Sequence, residues 1–205
     1  MSRGYDDPTM APSNTSGNLA VTGDPDADHL VNTAPLALLI GMLLDQQVPM
    51  EWAFRGPATL TRRLGSLDAS AIAAMDPESF EAACREKPAI HRFPASMAKR
   101  IQALCQEIVD DHGGDAGSIW SDGAPAAEVA ERLRSLSGYG PEKTKIFLAI
   151  LAKRFGVTPE GWEEVAGPFA DGTPRSVADI DSPEALATVR EWKKAQKARG
   201  KTKQE

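Results

Sequence analysis

The chain has 205 residues and is poorest in cysteine, histidine and long apolar runs. Its two cysteines, Cys84 and Cys105, both fall inside helical patterns and read as small buried hydrophobes rather than a disulfide. Two isolated thiols cannot hold an iron–sulfur cluster. His29, His91 and His112 have no metal-ligand spacing, so no metal and no cofactor are expected. The longest apolar stretch, Pro35 to Leu44, has the length of a core helix and not of a membrane span. No apolar segment of signal-peptide type follows Met1, which makes the cytoplasm the expected compartment. Alternating strand patterns and internal repeats are missing too.

What is present is a helical, globular composition, 41% apolar and 25% charged. That length and composition predict one ordinary domain, or two small helical lobes around one cleft. The net charge of −6 argues against a strongly basic nucleic-acid binder, but the charge is uneven. Residues 190–205 hold seven basic residues against Glu191 and Glu205, a net +5, so the other 189 residues carry −11. Such a tail suits attachment to a polyanion, and equally suits a solvated terminal helix.

Residues 1–18 are rich in Pro, Ser, Asn, Asp and Gly without periodicity, which predicts a disordered tail. Leu19 to Thr22 reads as a short extended arm, and Asp24-Pro25 as a capped helix start. The segment Pro35 to Met50 is apolar almost all round, the pattern of a central buried helix. It turns abruptly polar at Asp45-Gln46-Gln47. Amides at the end of a core helix are ordinarily caps. A Gln amide also offers donor and acceptor together, as a group replacing lost base-pair hydrogen bonds must. Helices follow from Met50 to Leu64, from Asp68, from Asp76-Pro77 and from Ser96 to His112, with an irregular connection over Lys87–Pro94. A C-terminal helix starts at Ser182-Pro183 and runs into the basic tail.

Between them stands Leu136-Ser-Gly-Tyr-Gly-Pro-Glu-Lys-Thr-Lys145. Val129, Leu133 and Leu136 make one helical stripe before it, and Thr144, Leu148, Leu151 and Phe155 another after it. Gly138 and Gly140 permit positive φ and close backbone approach, and Pro141 suits the first turn of a helix. The spacing predicts a helix-hairpin-helix over residues 125–155. Its glycine amides and helix N-terminus form a phosphate cradle in which Gly138, Tyr139, Gly140, Lys143 and Lys145 meet a DNA backbone without reading sequence.

A buried helix ending in Gln-Gln with a downstream Leu-x-Gly-x-Gly hairpin resembles the helix-hairpin-helix (HhH-GPD) superfamily of DNA glycosylases over roughly residues 35–167. Leu43-Leu-Asp-Gln-Gln-Val-Pro-Met-Glu-Trp-Ala-Phe54, His91-Arg-Phe-Pro94 and Arg175-Ser-Val-Ala-Asp179 are similar to a divergent bacterial base-excision repair branch of it. The resemblance implies an all-α, two-lobed fold over residues 19–189 with a cleft for lesion-containing double-stranded DNA, bound by a monomer. It also implies that Gln46 or Gln47 fills the gap left by a flipped base, with Trp52, His91, Phe93 and Trp120 around that base. For each aromatic taken singly, core packing is the simpler reading.

The chemistry departs from the family pattern. Where bifunctional members carry the Schiff-base lysine, this chain has Glu142. Lys143 lies about 100° around the helix from that position. Lyase activity is therefore not expected. No Asp lies between Gly140 and Phe169 to stabilise an oxocarbenium-like sugar, which leaves Glu160, Glu163 and Glu164 as candidates. Solvent-facing glutamates on a short acidic helix are the plain alternative. The resemblance thus implies a monofunctional glycosylase. A DNA-binding protein that keeps the fold without the chemistry is the second reading, and a protein–protein adaptor the third.

Overall fold

Leu19 and Val21 anchor the start of the fold in a computed structural model that describes residues 16–200, 202 and 204. The arm they belong to is extended, and Asn32 clamps it, accepting from the Leu19 amide at 2.9 Å and donating to the Leu19 carbonyl at 2.8 Å. Most of the tail expected over residues 1–18 lies outside the described residues. Its last part is tied down, because the Gly17 and Asn18 amides donate to the Asn32 and Arg154 carbonyls.

Every regular element among the described residues is helical. Asp24 caps α1 (Pro25–Thr33) through the Asp26 and Ala27 amides. Then α2 (Pro35–Leu44) follows at 113° to α1. Every α2 residue after Pro35 is buried, as its all-round apolar pattern predicts. No single described helix is long and apolar enough to cross a membrane.

Met50–Leu64 form one unbroken helix, α3, despite Gly56-Pro57 in its middle. An interior proline costs about 3 kcal/mol. Burial of this turn against α2 offsets that cost, and two glycines make the burial possible. A Cβ on Gly56 would stand 2.3 Å from Leu44 Cδ1, and one on Gly41 would stand 2.8 Å from Phe54 Cδ1. The two helices therefore lie closer than side chains at those positions would allow.

The helices α4 (Ala69–Ala74) and α5 (Pro77–Arg85) pack on α6 (Pro94–His112), and α3 joins this group. Cys84 and Cys105 lie inside it, where burial pushes both thiols up to about 12. That suits inert core residues. The second group is α7 (Ala126–Ser135), α8 (Pro141–Phe155), α9 (Trp162–Ala166) and α10 (Pro183–Ala198). Arg175–Asp179 ties it together: the Asp179 carboxylate accepts from the Ser176 amide in a capping box and from Lys153 Nζ of α8 at 2.7 Å. That motif is thus a structural clasp.

The hairpin between α7 and α8 is docked on the end of α2. The buried Tyr139 hydroxyl donates to the Leu39 carbonyl at 2.9 Å, and the Tyr139 ring meets Phe147 edge-on at 5.8 Å. Lys143 Nζ donates to the Met42 and Leu43 carbonyls at 2.5 Å each. Those carbonyls belong to the last turn of α2, where a cation complements the helix dipole. Gly138 adopts φ 89° and would bring a Cβ to 3.1 Å from Leu43 Cγ. Gly140 has φ −94° and open space around it, so only one of the two glycines supplies the positive φ expected of both.

Gly138→Ala is expected to destabilise the protein by about 2 kcal/mol, through left-handed strain and the Leu43 contact. Gly140→Ala, in unstrained backbone, stays within about 0.5 kcal/mol of wild type. Urea unfolding of both variants checks this, and equal effects would contradict the hairpin geometry described here.

Candidate nucleic-acid interface

Beyond Leu44 the chain leaves α2 through Asp45, whose amide donates back to the Gly41 carbonyl. Gln46 then turns inward. Its Nε2 donates to the Leu43 carbonyl at 2.9 Å and meets Met97 Sδ at 3.4 Å, while its Oε1 accepts from Arg100 at 3.0 Å. Gln47 turns outward, exposed, with φ 57°. A glutamine in left-handed backbone is strained and persists only where its surroundings over-determine it. Of the two glutamines named from the sequence, Gln47 alone presents a free amide to solvent. Gln46 is spent on the wall behind it.

That wall lines an open cavity of about 230 Å³ bordered by Gln46, Gln47, His91, Phe93, Met97 and Arg100. Four of the sequence candidates therefore meet in one place. Two others do not: Trp120 packs at 5.4 Å on Phe147 of the core, and Trp52, its ring 6.4 Å from that of His91, does not line this cavity and donates its Nε1 to the Ala89 carbonyl. Sequence reasoning missed Met97 and Arg100: Met97 reads as part of the apolar stripe of α6, and Arg100 as an ordinary exposed charge on the same helix. Ser96, expected to cap that helix, is a neighbour of the cavity instead; the helix starts at Pro94 with no side-chain cap.

His91 joins the two halves of this wall. Its Nε2 lies 2.9 Å from the Gln46 carbonyl, and its Nδ1 accepts from the Phe93 amide at 3.1 Å. Both contacts are satisfied by the neutral imidazole carrying its proton on Nε2. Burial holds the His91 pKa below its ordinary 6.5, against the pull of the Gln46 carbonyl, and the charges of Lys143, Arg92 and Arg100 lower it further. These three cations concentrate positive charge around His91 on an otherwise acidic body, and Arg100 borders the cavity itself. With both ring nitrogens bonded, His91 acts as a brace and not as a free acid or base.

The hairpin is continuous with this site. Lys143 grips the carbonyls that immediately precede the glutamine loop, and α6 spans the two features. Arg100 borders the cavity, and seven residues on, about 10 Å along the helix, Glu107 accepts from the Ser137 amide and hydroxyl at 2.6 Å each. Glu107 thus braces the hairpin from behind. Two of the expected phosphate ligands are redefined. Tyr139 has its side chain in the core, and the Lys143 ammonium is bonded to the end of α2. Gly140 remains exposed, and Lys145 is half-buried with its Nζ 4.0 Å from where a Gly167 Cβ would stand.

The three candidate carboxylates are all exposed. The Glu160 carbonyl accepts from the Ala126 amide at 2.9 Å, which fixes Glu160 beside the start of α7, at the base of the hairpin and away from its turn. Glu163 and Glu164 sit on α9, between that base and Gly167. Neither carboxylate has a hydrogen-bond or ion-pair partner among the described residues. No group of three or more His, Cys, Asp or Glu side chains among the described residues is arranged to hold a metal ion.

The lowered His91 pKa has a defined sign in stability. Its unfolded form binds the proton more readily, so this contribution is complete above about pH 6.5 and is lost as pH falls below it. Urea unfolding from neutral to about pH 5 is expected to show wild type losing stability more steeply than His91→Gln. Parallel curves would show that His91 titrates as it does in the unfolded chain.

Against protein-family models the sequence matches the HhH-GPD superfamily base excision DNA repair protein over residues 40–204, a span that takes in the glutamine loop, the His91 connection and the hairpin. Among curated proteins none matches it significantly. On a match covering most of its length, the chain belongs to the HhH-GPD superfamily of base excision DNA repair proteins.

Proposed function

We propose that this protein is a monofunctional DNA glycosylase. It binds lesion-containing duplex, flips one base into the cavity behind Gln47, and hydrolyses the N-glycosidic bond with water. The observation that carries this reading is the union of hairpin and glutamine loop on one helix end. Lys143 and Tyr139 hold the hairpin on α2, and α2 hands the chain directly to Gln46 and Gln47. A strand whose phosphates rest on Gly140 and the first turn of α8 then passes beside the amide that fills the vacated stack. A protein that only holds DNA backbones has no use for a strained, outward glutamine beside a cavity. Double-stranded DNA is the partner, met by a monomer at the nucleoid in the cytoplasm.

Hydrolysis needs negative charge near the sugar as positive charge develops on it. Glu163 is the proposed stabiliser. Its carboxylate has no hydrogen-bond or ion-pair partner among the described residues, whereas the Glu160 backbone is tied to the start of α7. Glu164 is its neighbour and the first alternative. Lyase chemistry is not proposed. Glu142 occupies the lysine position of bifunctional relatives, and the Lys143 amine is held on the Met42 and Leu43 carbonyls rather than directed at a ligand. The competing reading is a protein that binds lesions without cleaving them, and the exposure of all three glutamates favours it.

Duplexes carrying alkylated, oxidised or deaminated bases, followed by alkaline cleavage, separate the two. An abasic product from at least one duplex is expected, with Glu163→Gln lowering its rate by about 10²–10³-fold and leaving binding unchanged. Gly140→Glu is expected to abolish duplex binding by placing a carboxylate where phosphate rests. Bound duplex with no product from any lesion would select the non-catalytic reading. A Lys143-dependent covalent adduct in borohydride trapping on abasic DNA would overturn the monofunctional assignment.

A further inference from the structure

Trp52 and Phe93 are the exposed large hydrophobic side chains among the described residues, 38% and 45% accessible. They are neighbours. Their rings flank His91 at centroid distances of 6.4 and 6.0 Å. Phe93 belongs to the cavity behind Gln47, while Trp52 belongs to a second and larger one of about 480 Å³ along the outer face of α3. Arg55, Thr59 and Arg62 continue that face from Trp52, with Pro88 to Ile90 forming the opposite wall.

The charges in this second cavity are unevenly committed. Its two carboxylates are occupied: Asp24 caps α1, and Glu51 is ion-paired to Arg190. Its other arginines are not. The Arg55 guanidinium has no hydrogen-bond or ion-pair partner among the described residues, and Arg62 reaches only the Thr59 hydroxyl at 3.2 Å. Nearby Arg92 has no carboxylate either and lies 4.9 Å over the Phe93 ring. An aromatic platform opening onto guanidinium groups that lack anions is the arrangement that binds unpaired nucleotides, with the base on the ring and the phosphates on the arginines.

We propose that the α3 groove is a second nucleic-acid site, holding single-stranded DNA beside the flipped-base cavity. A base stacks on Trp52, and the phosphates that follow run toward Arg55 and Arg62. These two residues are seven apart, about 10 Å along the helix. The inference extends the glycosylase reading, since His91 separates the two cavities and one strand can serve both. It adds a preference for DNA with unpaired nucleotides flanking the lesion, such as a gap or an opened duplex.

The test uses the full chain, a short oligothymidylate and, separately, an intact duplex. The oligothymidylate is expected to bind and to quench tryptophan fluorescence. Trp52→Ala weakens that binding by about fivefold or more. Trp52→Phe keeps it, which separates stacking from the Nε1 bond to Ala89. Each of Arg55→Ala and Arg62→Ala reduces the slope of log affinity against log salt by about 0.7. Gly140→Glu leaves oligothymidylate binding intact while removing duplex binding, so failure of the groove and failure of the hairpin are read independently. Absence of oligothymidylate binding would overturn the proposal. So would binding that Trp52→Ala and both arginine variants leave unchanged, or binding lost in Gly140→Glu.

Discussion

Lys143 and Tyr139, reaching down onto the end of α2, hold the arrangement on which every other feature of the site depends. The last carbonyls of a buried helix must find donors, because an orphaned polar group in a dry interior costs about 1–3 kcal/mol. Here the Asp45 amide and Gln46 Nε2 supply local donors, and the Lys143 ammonium, a hundred residues away in sequence, adds a second donor to the Met42 and Leu43 carbonyls. The same contacts fix where the hairpin sits relative to Gln47. Gly138 is needed at the junction for both its backbone angle and its lack of a side chain against Leu43.

A second consequence concerns charge. Outside its basic tail the chain is acidic, yet Lys143, Arg92 and Arg100 converge where the two glutamines leave α2. Selective attraction of DNA to one face of an acidic protein needs this kind of local concentration, since screening removes the effect of distant charge within about 8–10 Å at physiological salt. The body's acidity limits adhesion elsewhere. The C-terminal helix takes part through Arg190, which neutralises Glu51 beside Trp52, rather than as a free basic arm alone.

The interior polar groups of the site show a consistent division of labour. Gln46, His91 and Glu107 have their polar atoms engaged by protein partners, whereas the side chains of Gln47 and the α9 glutamates face outward without partners among the described residues, and Gly140 is exposed. The engaged set holds geometry, and the outward set is available to a ligand. Binding DNA to such a surface costs little reorganisation of the protein, which is the benefit of preorganised sites.

Periodicity and punctuation alone determined the helical class, the buried α2, the hairpin and the outward turn of polarity at Asp45. Apolar spacing and glycine–proline signals act locally, and local physics is written in adjacent residues. The same letters left Gln46 and Gln47 equivalent, read Tyr139 and Lys143 as phosphate ligands, grouped Trp52 and Trp120 with one pocket, and passed over Arg100 and Glu107. Tertiary structure decided each of these. Whether a side chain faces solvent or a helix end depends on which distant carbonyl it can reach, and that is set only when α2, α6 and α8 pack together.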